Sequence, residues 1–322
     1  MLCLSSFARL LSFLLFPAFL IASLLCGGYG IEKNRYAKAT DSSTLPPTPS
    51  ATPSPTPSAI PSPTPSTIPL PQPTPVGQSG DWKLLFSDDF EGTSIDTNKW
   101  TTCYWWDTDG CTNRGNNELE WYQPDEVLVN DGTLKLRAQG RTITASDGKI
   151  YNYTSGMITT GRNTPDTSAP TKFVFQFGYI EIRAKIPNGK GLWPGFWTLP
   201  DDHSSKPEID VMEILGHDPH TIHMNLHYLN SDGSDGSNGH IWIGPDFSAD
   251  WHTFAVDRQP NSIIWYVDGI ERWRYMDAAH LPAKHMYLLA NLAVGGDWPG
   301  APDSSTSFPS YYEIDYVRVW SR

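Results

Sequence analysis

Positive charge is scarce in this sequence: 23 Lys and Arg stand against 35 Asp and Glu in 322 residues, a formal net charge of −12 at pH 7. From residue 81 onward the balance falls to about −14. Binding to a phosphate backbone or an anionic membrane surface relies on Lys and Arg, so both partner classes are disfavoured and a neutral ligand suits the chain. Cysteine is scarce too. Of four, Cys3 and Cys26 lie in the N-terminal segment, leaving only Cys103 and Cys111, and no spacing of the metal-binding type exists. The second pair flanks a Gly-containing loop, where an exported protein could carry either a disulfide or two free thiols. No uninterrupted helical period of twelve residues appears anywhere, which excludes a helical bundle.

Three regions are present. Arg9 precedes an apolar run, Leu10 to Leu25, too short for a confident membrane span and fitting an export signal. Ser23-Leu24-Leu25-Cys26-Gly27 loosely resembles a lipoprotein cleavage site, except that Leu25 stands where a small residue is expected. Residues 1–26 are therefore read as an export segment, with Cys26 as a candidate lipid anchor. Residues 27–80 form a linker: Thr44 to Val76 is almost entirely Pro, Thr, Ser and Ala. Such a composition cannot bury a core and favours extended polyproline II, a spacer of order 100 Å. Either outcome of processing places the protein outside the cytoplasm, secreted or held at the cell surface.

Residues 81–322 read as one all-β domain. Alternation is clear in Leu134–Ala138, Ile180–Ile186 and Tyr312–Trp320. Asp268-Gly269 separates two apolar runs and specifies a tight hairpin. Regularly spaced short strands with Gly and Pro turns indicate an antiparallel β-sandwich of jelly-roll type with a concave face.

Within that pattern, Pro207-Glu208-Ile209-Asp210-Val211-Met212-Glu213-Ile214 sets three carboxylates in an apolar run. As a strand, Glu208 and Asp210 share one face, but Glu213, five positions after Glu208, falls out of phase. One extra residue at Val211-Met212 would form a β-bulge and return it to that face. Two glutamates with an aspartate between them suit a retaining glycosidase. One carboxylate attacks the anomeric carbon, the other protonates the leaving oxygen, and the third keeps their pKa values apart. Retention needs carboxyls only ~5–5.5 Å apart, so the side chains must lean together across ~13 Å of strand.

Thirteen Trp residues point the same way, because sugar rings stack C–H faces on indole planes. Trp193 and Trp197, shortly before the acids, are read as stacking residues; Trp251, Trp265, Trp273 and Trp320 as core. His217, His220, His223 and His227 match no zinc spacing; His227 is read as a polar group near the cleft.

Further segments accompany the acids. In order they are Phe86-Ser87-Asp88-Asp89-Phe90, Asn116-Asn117-Glu118-Leu119-Glu120-Trp121-Tyr122, Asp131-Gly132-Thr133-Leu134, Leu192-Trp193-Pro194-Gly195-Phe196-Trp197, Gly295-Gly296-Asp297-Trp298-Pro299-Gly300 and Asp315-Tyr316-Val317-Arg318-Val319. With the acid motif, this set resembles glycoside hydrolase family 16 and, within it, the laminarinase-like branch, over nearly all of residues 82–320. The resemblance implies a concanavalin A-like jelly roll with Glu208 as nucleophile, Glu213 as general acid/base and Asp210 assisting. It places Asn117, Glu118, Arg162, Trp193, Trp197, His227 and Trp298 on the cleft. It also implies one calcium ion on the convex side, held by Glu91, the Gly132 carbonyl and Asp315, with no cofactor required for catalysis. The implied reaction is endohydrolysis of β-1,3-glucan of the laminarin type, with mixed-linkage glucan as a secondary substrate, by a monomer. Two alternatives stand beside it: an agarase-like galactan hydrolase, and a silent carbohydrate-binding sandwich.

Overall fold

A computed structural model describes residues 72–105, 111–166 and 168–322. The export segment, most of the linker, Cys26 and Trp106 lie outside the described residues. Two antiparallel sheets dominate what is described. The outer sheet runs Ile270–Tyr275, Ser262–Val267, His252–Gln259, Gly178–Lys185, Ser310–Ser321, Thr133–Ala138 and Val127–Asn130, with Lys83–Asp88 also paired to Ser310–Ser321. The inner sheet runs Asp235–Ile243, Thr221–Leu229, Glu208–Ile214, Leu192–Pro200, Met286–Val294 and Met157–Thr159. Neighbours in the sheets are distant in sequence, as in a jelly roll.

Alternation decides which side of each strand is buried. Leu134, Leu136 and Ala138 point inward and are fully buried, while Thr133, Lys135 and Arg137 point out. Ile209, Met212 and Ile214 of the acid strand meet Phe196, Ile222, Met224 and Leu226 in the core between the sheets. Each such aliphatic side chain contributes about 1.5–3 kcal/mol by leaving water. Their burial fixes the opposite face of the same strand as the one that carries the acids. Trp265 and Trp320 are core as expected, whereas Trp251 and Trp273 are only half-buried.

The Asp268-Gly269 dipeptide forms the expected two-residue hairpin, both residues with positive φ (51° and 74°); a bulkier second residue would be strained there. Cys103 and Cys111 are joined in a disulfide, their Cα atoms 4.8 Å apart. The C-terminal end of the linker is seated on the outer sheet. Trp320 Nε1 donates to the Pro73 carbonyl at 2.8 Å, the Val76 N–H to Glu181 Oε2 at 3.1 Å, and Gln78 Nε2 to the Gly269 carbonyl at 3.0 Å. Residues 73–78 thus pack on the domain ahead of position 81, because these backbone groups find partners there. Among the described residues no helix is long and apolar enough to cross a membrane.

Candidate active site

The acid strand Glu208–Ile214 is bulged at the expected place, and both of its neighbours report it. Against Thr221–Leu229, Asp210 faces Asn225 and Glu213 faces His223, three steps on one side against two on the other. Against Leu192–Pro200, Trp197 faces Asp210 and Phe196 faces Met212, so Val211 is the extra residue. The bulge restores phase: Ile209, Val211, Met212 and Ile214 are all buried, while Glu208, Asp210 and Glu213 line one cleft of about 630 Å³.

Rows of side chains cross the cleft floor in register. Glu208 is opposite His227, Asp210 lies between Trp197 and Asn225, and Glu213 between Gly195 and His223. His227 Nε2 lies 3.1 Å from Asp210 Oδ2, Lys206 Nζ 3.4 Å from Glu208 Oε2, and Asn225 Nδ2 donates to Glu213 Oε2 at 3.0 Å. From the core side, Trp265 Nε1 donates to the Asp210 carbonyl at 2.8 Å and pins the backbone at the bulge. Gly239 clears the space Asn225 uses: a Cβ there would fall 2.1 Å from Asn225 Oδ1.

Burial and the Glu208 charge push the Asp210 carboxyl well above the usual carboxylate range, so Asp210 keeps its proton and donates it toward Glu208. Glu213 is also raised well above that range, first by burial and then by Asp210 and Glu208. An acid of this kind stays protonated near neutrality, as a general acid must. Asp210 and Glu213 are therefore the two acids of the trio that the site pushes toward their protonated forms.

Trp193, Trp197 and Trp298 line the cleft as expected. Trp197 Nε1 is fixed by Asn291 Oδ1 at 2.8 Å. Trp193 meets Trp298 edge-on with ring centroids 5.2 Å apart, and His223 stands edge-on to Trp298 at 4.7 Å. Glu118 and His227 line it too. Asn117 and Arg162 do not. Asn117 turns away into an exposed position and donates to both Asp297 carboxylate oxygens, leaving Asn113 and Asn116 on the cleft wall. Arg162 is a strut behind the wall: it donates to the Ala169 carbonyl, to Asp201 Oδ1 at 2.9 Å and to the Asp201 carbonyl at 2.8 Å. Asp201 belongs to the loop that leads into the acid strand, so the guanidinium ties that loop to the turn at Ala169.

Several cleft residues went unread in the sequence. Asn225 shares its strand face with His223 and His227 by simple alternation, a signal that was available. Lys206 and His203 carried none, since their positions depend on loop paths. Trp105 stacks on His203 with centroids 4.0 Å apart and reaches the Tyr287 hydroxyl with its Nε1 at 2.9 Å.

Glu208, Asp210 and His227 are the one group among the described residues whose His or carboxylate donor atoms gather within 4.8 Å. On the opposite sheet, a Cβ at Gly132 would lie 3.6 Å from Glu91 Oε1, so these two expected calcium ligands adjoin. Asp315 pairs with Arg183 Nη1 at 2.6 Å, which a cation would have to displace in part. Oxygen donors of this kind fit a hard cation.

The family model for glycosyl hydrolases family 16 matches residues 137–318. The chain belongs to that family. A model for the beta-glucan synthesis-associated proteins SKN1/KRE6/Sbg1 matches residues 6–203. The family-16 domain is 33% identical over 264 residues to glucan endo-1,3-beta-glucosidase A1 of Niallia circulans, covering 74% of this chain and 37% of that protein. It is 36% identical over 255 residues to endo-1,3-1,4-beta-glycanase EglC of Rhizobium meliloti, covering 73% and 51%. The chain thus spans about half or less of the length of these relatives. Its fold is similar to that of the laminarinase catalytic domain of Thermotoga maritima, with TM-score 0.65 and 33% identity over 76% of this chain and 99% of that one.

Proposed function

We propose that this family-16 chain is a retaining endo-β-1,3-glucanase that also accepts mixed-linkage β-1,3/1,4-glucan. The observation that carries the reading is the bulge at Val211, which turns three acids onto one face of an aromatic-lined groove. Glu208 attacks the anomeric carbon as Glu213 gives its proton to the departing glycosidic oxygen. Asp210, hydrogen-bonded to Glu208 through its own proton, keeps that carboxylate oriented while its charge is consumed in the glycosyl ester. Glu213, now ionised, takes a proton from water, whose oxygen displaces Glu208 and leaves the configuration unchanged. The relatives named for endo-1,3 and endo-1,3-1,4 activities support the substrate class.

The test is digestion of laminarin, barley β-glucan and agarose side by side, with the anomer of the first product read by NMR. Release of β-configured oligosaccharides from laminarin, and more slowly from barley glucan, is expected. Inverted product would overturn the double displacement, cleavage of agarose alone would make this a galactan hydrolase, and no release from any would leave a binding module.

We further propose that the protein is exported through residues 1–26 and works as a monomer on the polymer, tethered by Cys26 or freely secreted. A calcium ion on Glu91, the Gly132 carbonyl and Asp315 would serve stability alone. Chelation should lower Tm by roughly 2–4 °C for each kcal/mol lost in a domain of this size, with kcat intact; an unmoved Tm removes the ion from the account.

A further inference from the structure

A second pair of buried acids lies in the cleft wall, apart from the reacting trio. Glu118 is 8% exposed and lines the cleft; Glu120, two residues on and from the same strand edge, is fully buried. Glu118 accepts from Asn116 Nδ2 at 2.9 Å and, at a long 3.4 Å, from the Tyr122 hydroxyl. Glu120 Oε2 accepts the Val294 N–H at 2.7 Å, but its Oε1 meets no donor. The Glu118 carboxyl lies within hydrogen-bonding reach of the Glu120 carboxyl. Two carboxylate oxygens repel unless a proton lies between them.

Among the described residues, the groups packed around the pair offer no compensating charge. Tyr104 comes from the loop closed by the disulfide and Tyr122 from the strand itself. Asn291, bonded to the Tyr122 hydroxyl at 3.0 Å, comes from the inner sheet. Asn113 and Asn116 come from the preceding turn, and Gly296 closes over Glu118, where an added Cβ would fall 3.7 Å from its Cγ and 2.9 Å from the Asn116 carbonyl oxygen. None is a Lys, Arg or His. Removing two carboxylates from water without a cation is prohibitively costly, so one of them keeps its proton. Burial raises both carboxyls, but Glu120, which lies deeper and faces the Glu118 charge, is pushed further up and is the one that holds the proton.

We propose that Glu118 and Glu120 act as one acid pair sharing a single proton, in which Glu120 is a positioning residue that aims an ionised Glu118 at a sugar hydroxyl in the cleft. The division of labour follows from exposure. Glu118 is the one that reaches the groove, and a carboxylate accepts strongly from hydroxyl donors. The proton on Glu120 satisfies one face of Glu118, so that only the remaining lone pairs are offered to substrate. The same network reaches the floor: Tyr122 to Asn291, and Asn291 to Trp197 Nε1. A displaced Glu118 would therefore also loosen the indole expected to stack on the sugar.

This inference rests on the glucanase reading, and the experiment separates the two. KM and kcat are measured on a soluble β-1,3-gluco-oligosaccharide for wild type, Glu118→Gln and Glu120→Gln from roughly pH 5 to 9, with melting curves to verify folding. Failure of the wild type to cleave would defeat the function itself and not the pair. With an active wild type, Glu118→Gln should raise KM about 10- to 100-fold with little change in kcat. Glu120→Gln retains a donor toward Glu118 and an acceptor for Val294, so its KM should rise only about threefold. Its KM should also stay flat on the alkaline side, where the wild-type KM climbs as the last shared proton is lost and the carboxylates repel. An unaltered KM in Glu118→Gln, equal losses in both variants, or identical alkaline profiles for wild type and Glu120→Gln would each overturn the proposal.

Discussion

The groove holds two sets of buried acids, and they are built differently. The floor set, Glu208, Asp210 and Glu213, has basic side chains at hand: Lys206 lies 3.4 Å from Glu208 and His227 3.1 Å from Asp210. Among the described residues, the wall set, Glu118 and Glu120, has only amides, phenols and backbone N–H groups. A group that must give up and regain charge during each turnover needs neighbours that tolerate both states. A group that holds one proton throughout can be walled in by neutral dipoles. The difference also appears in the backbone: the floor set lies along one strand and required a bulge, whereas Glu118 precedes the strand that begins at Glu120.

The largest break in this comparison is Glu208→Ala. Without the attacking carboxylate, turnover on laminarin should fall by about 10⁴-fold or more with the circular dichroism spectrum unchanged; retained activity would strip Glu208 of its role. Glu213→Gln comes next, with a loss of roughly 10²–10⁴ on natural glucan but a much smaller loss on a substrate with an activated leaving group. It should also stabilise the protein at neutral pH. The folded state holds Glu213 protonated above the range where the unfolded chain releases that proton. Stability is therefore lost as pH rises from the ordinary carboxylate range through the raised one. Gln carries no such cost. Its Tm should exceed the wild-type value at pH 7, and the two should converge in acid, below the ordinary carboxylate range. Equal Tm values at both pH values would show that Glu213 is ionised in the fold.

How much of this was legible in the sequence depends on the range of the forces involved. The strands, the Asp268-Gly269 hairpin and the one-residue irregularity at Val211 follow from local rules, since a period of two leaves Glu213 only one way to rejoin Asp210. Trp193 and Trp197 were legible for the same reason, two positions either side of Gly195. Arg162 and Asn117 were misplaced because their side chains had nearer partners in loops, Asp201 and Asp297, that alternation does not register. Lys206 was invisible on similar grounds. A cation two residues before an acid is ordinary in any sequence, and only the path of the loop turns Nζ back toward Glu208. Asn225 was legible and passed over, since the histidines on either side of it drew the eye toward metal chemistry.

The smallest effect tests whether the floor acids depend on their neutral neighbours as the wall acids do. Gly239 stands opposite Asn225 with no room for a methyl group, 2.1 Å from Oδ1. That oxygen is the end of a flexible side chain, so Gly239→Ala should cost little stability; Asn225 simply swings away. In doing so it withdraws the Nδ2 donor from Glu213. A hydrogen bond to the charged form favours ionisation, so its loss raises the Glu213 pKa further and moves the alkaline limb of kcat to higher pH. The acid is also less well aimed, and kcat should drop by about tenfold. A drop in kcat with the alkaline limb moving upward would show that Asn225 tunes and orients the proton donor. A drop in Tm with no movement of the limb would make Gly239 a packing residue only, and the floor would then depend on Lys206 and His227 alone.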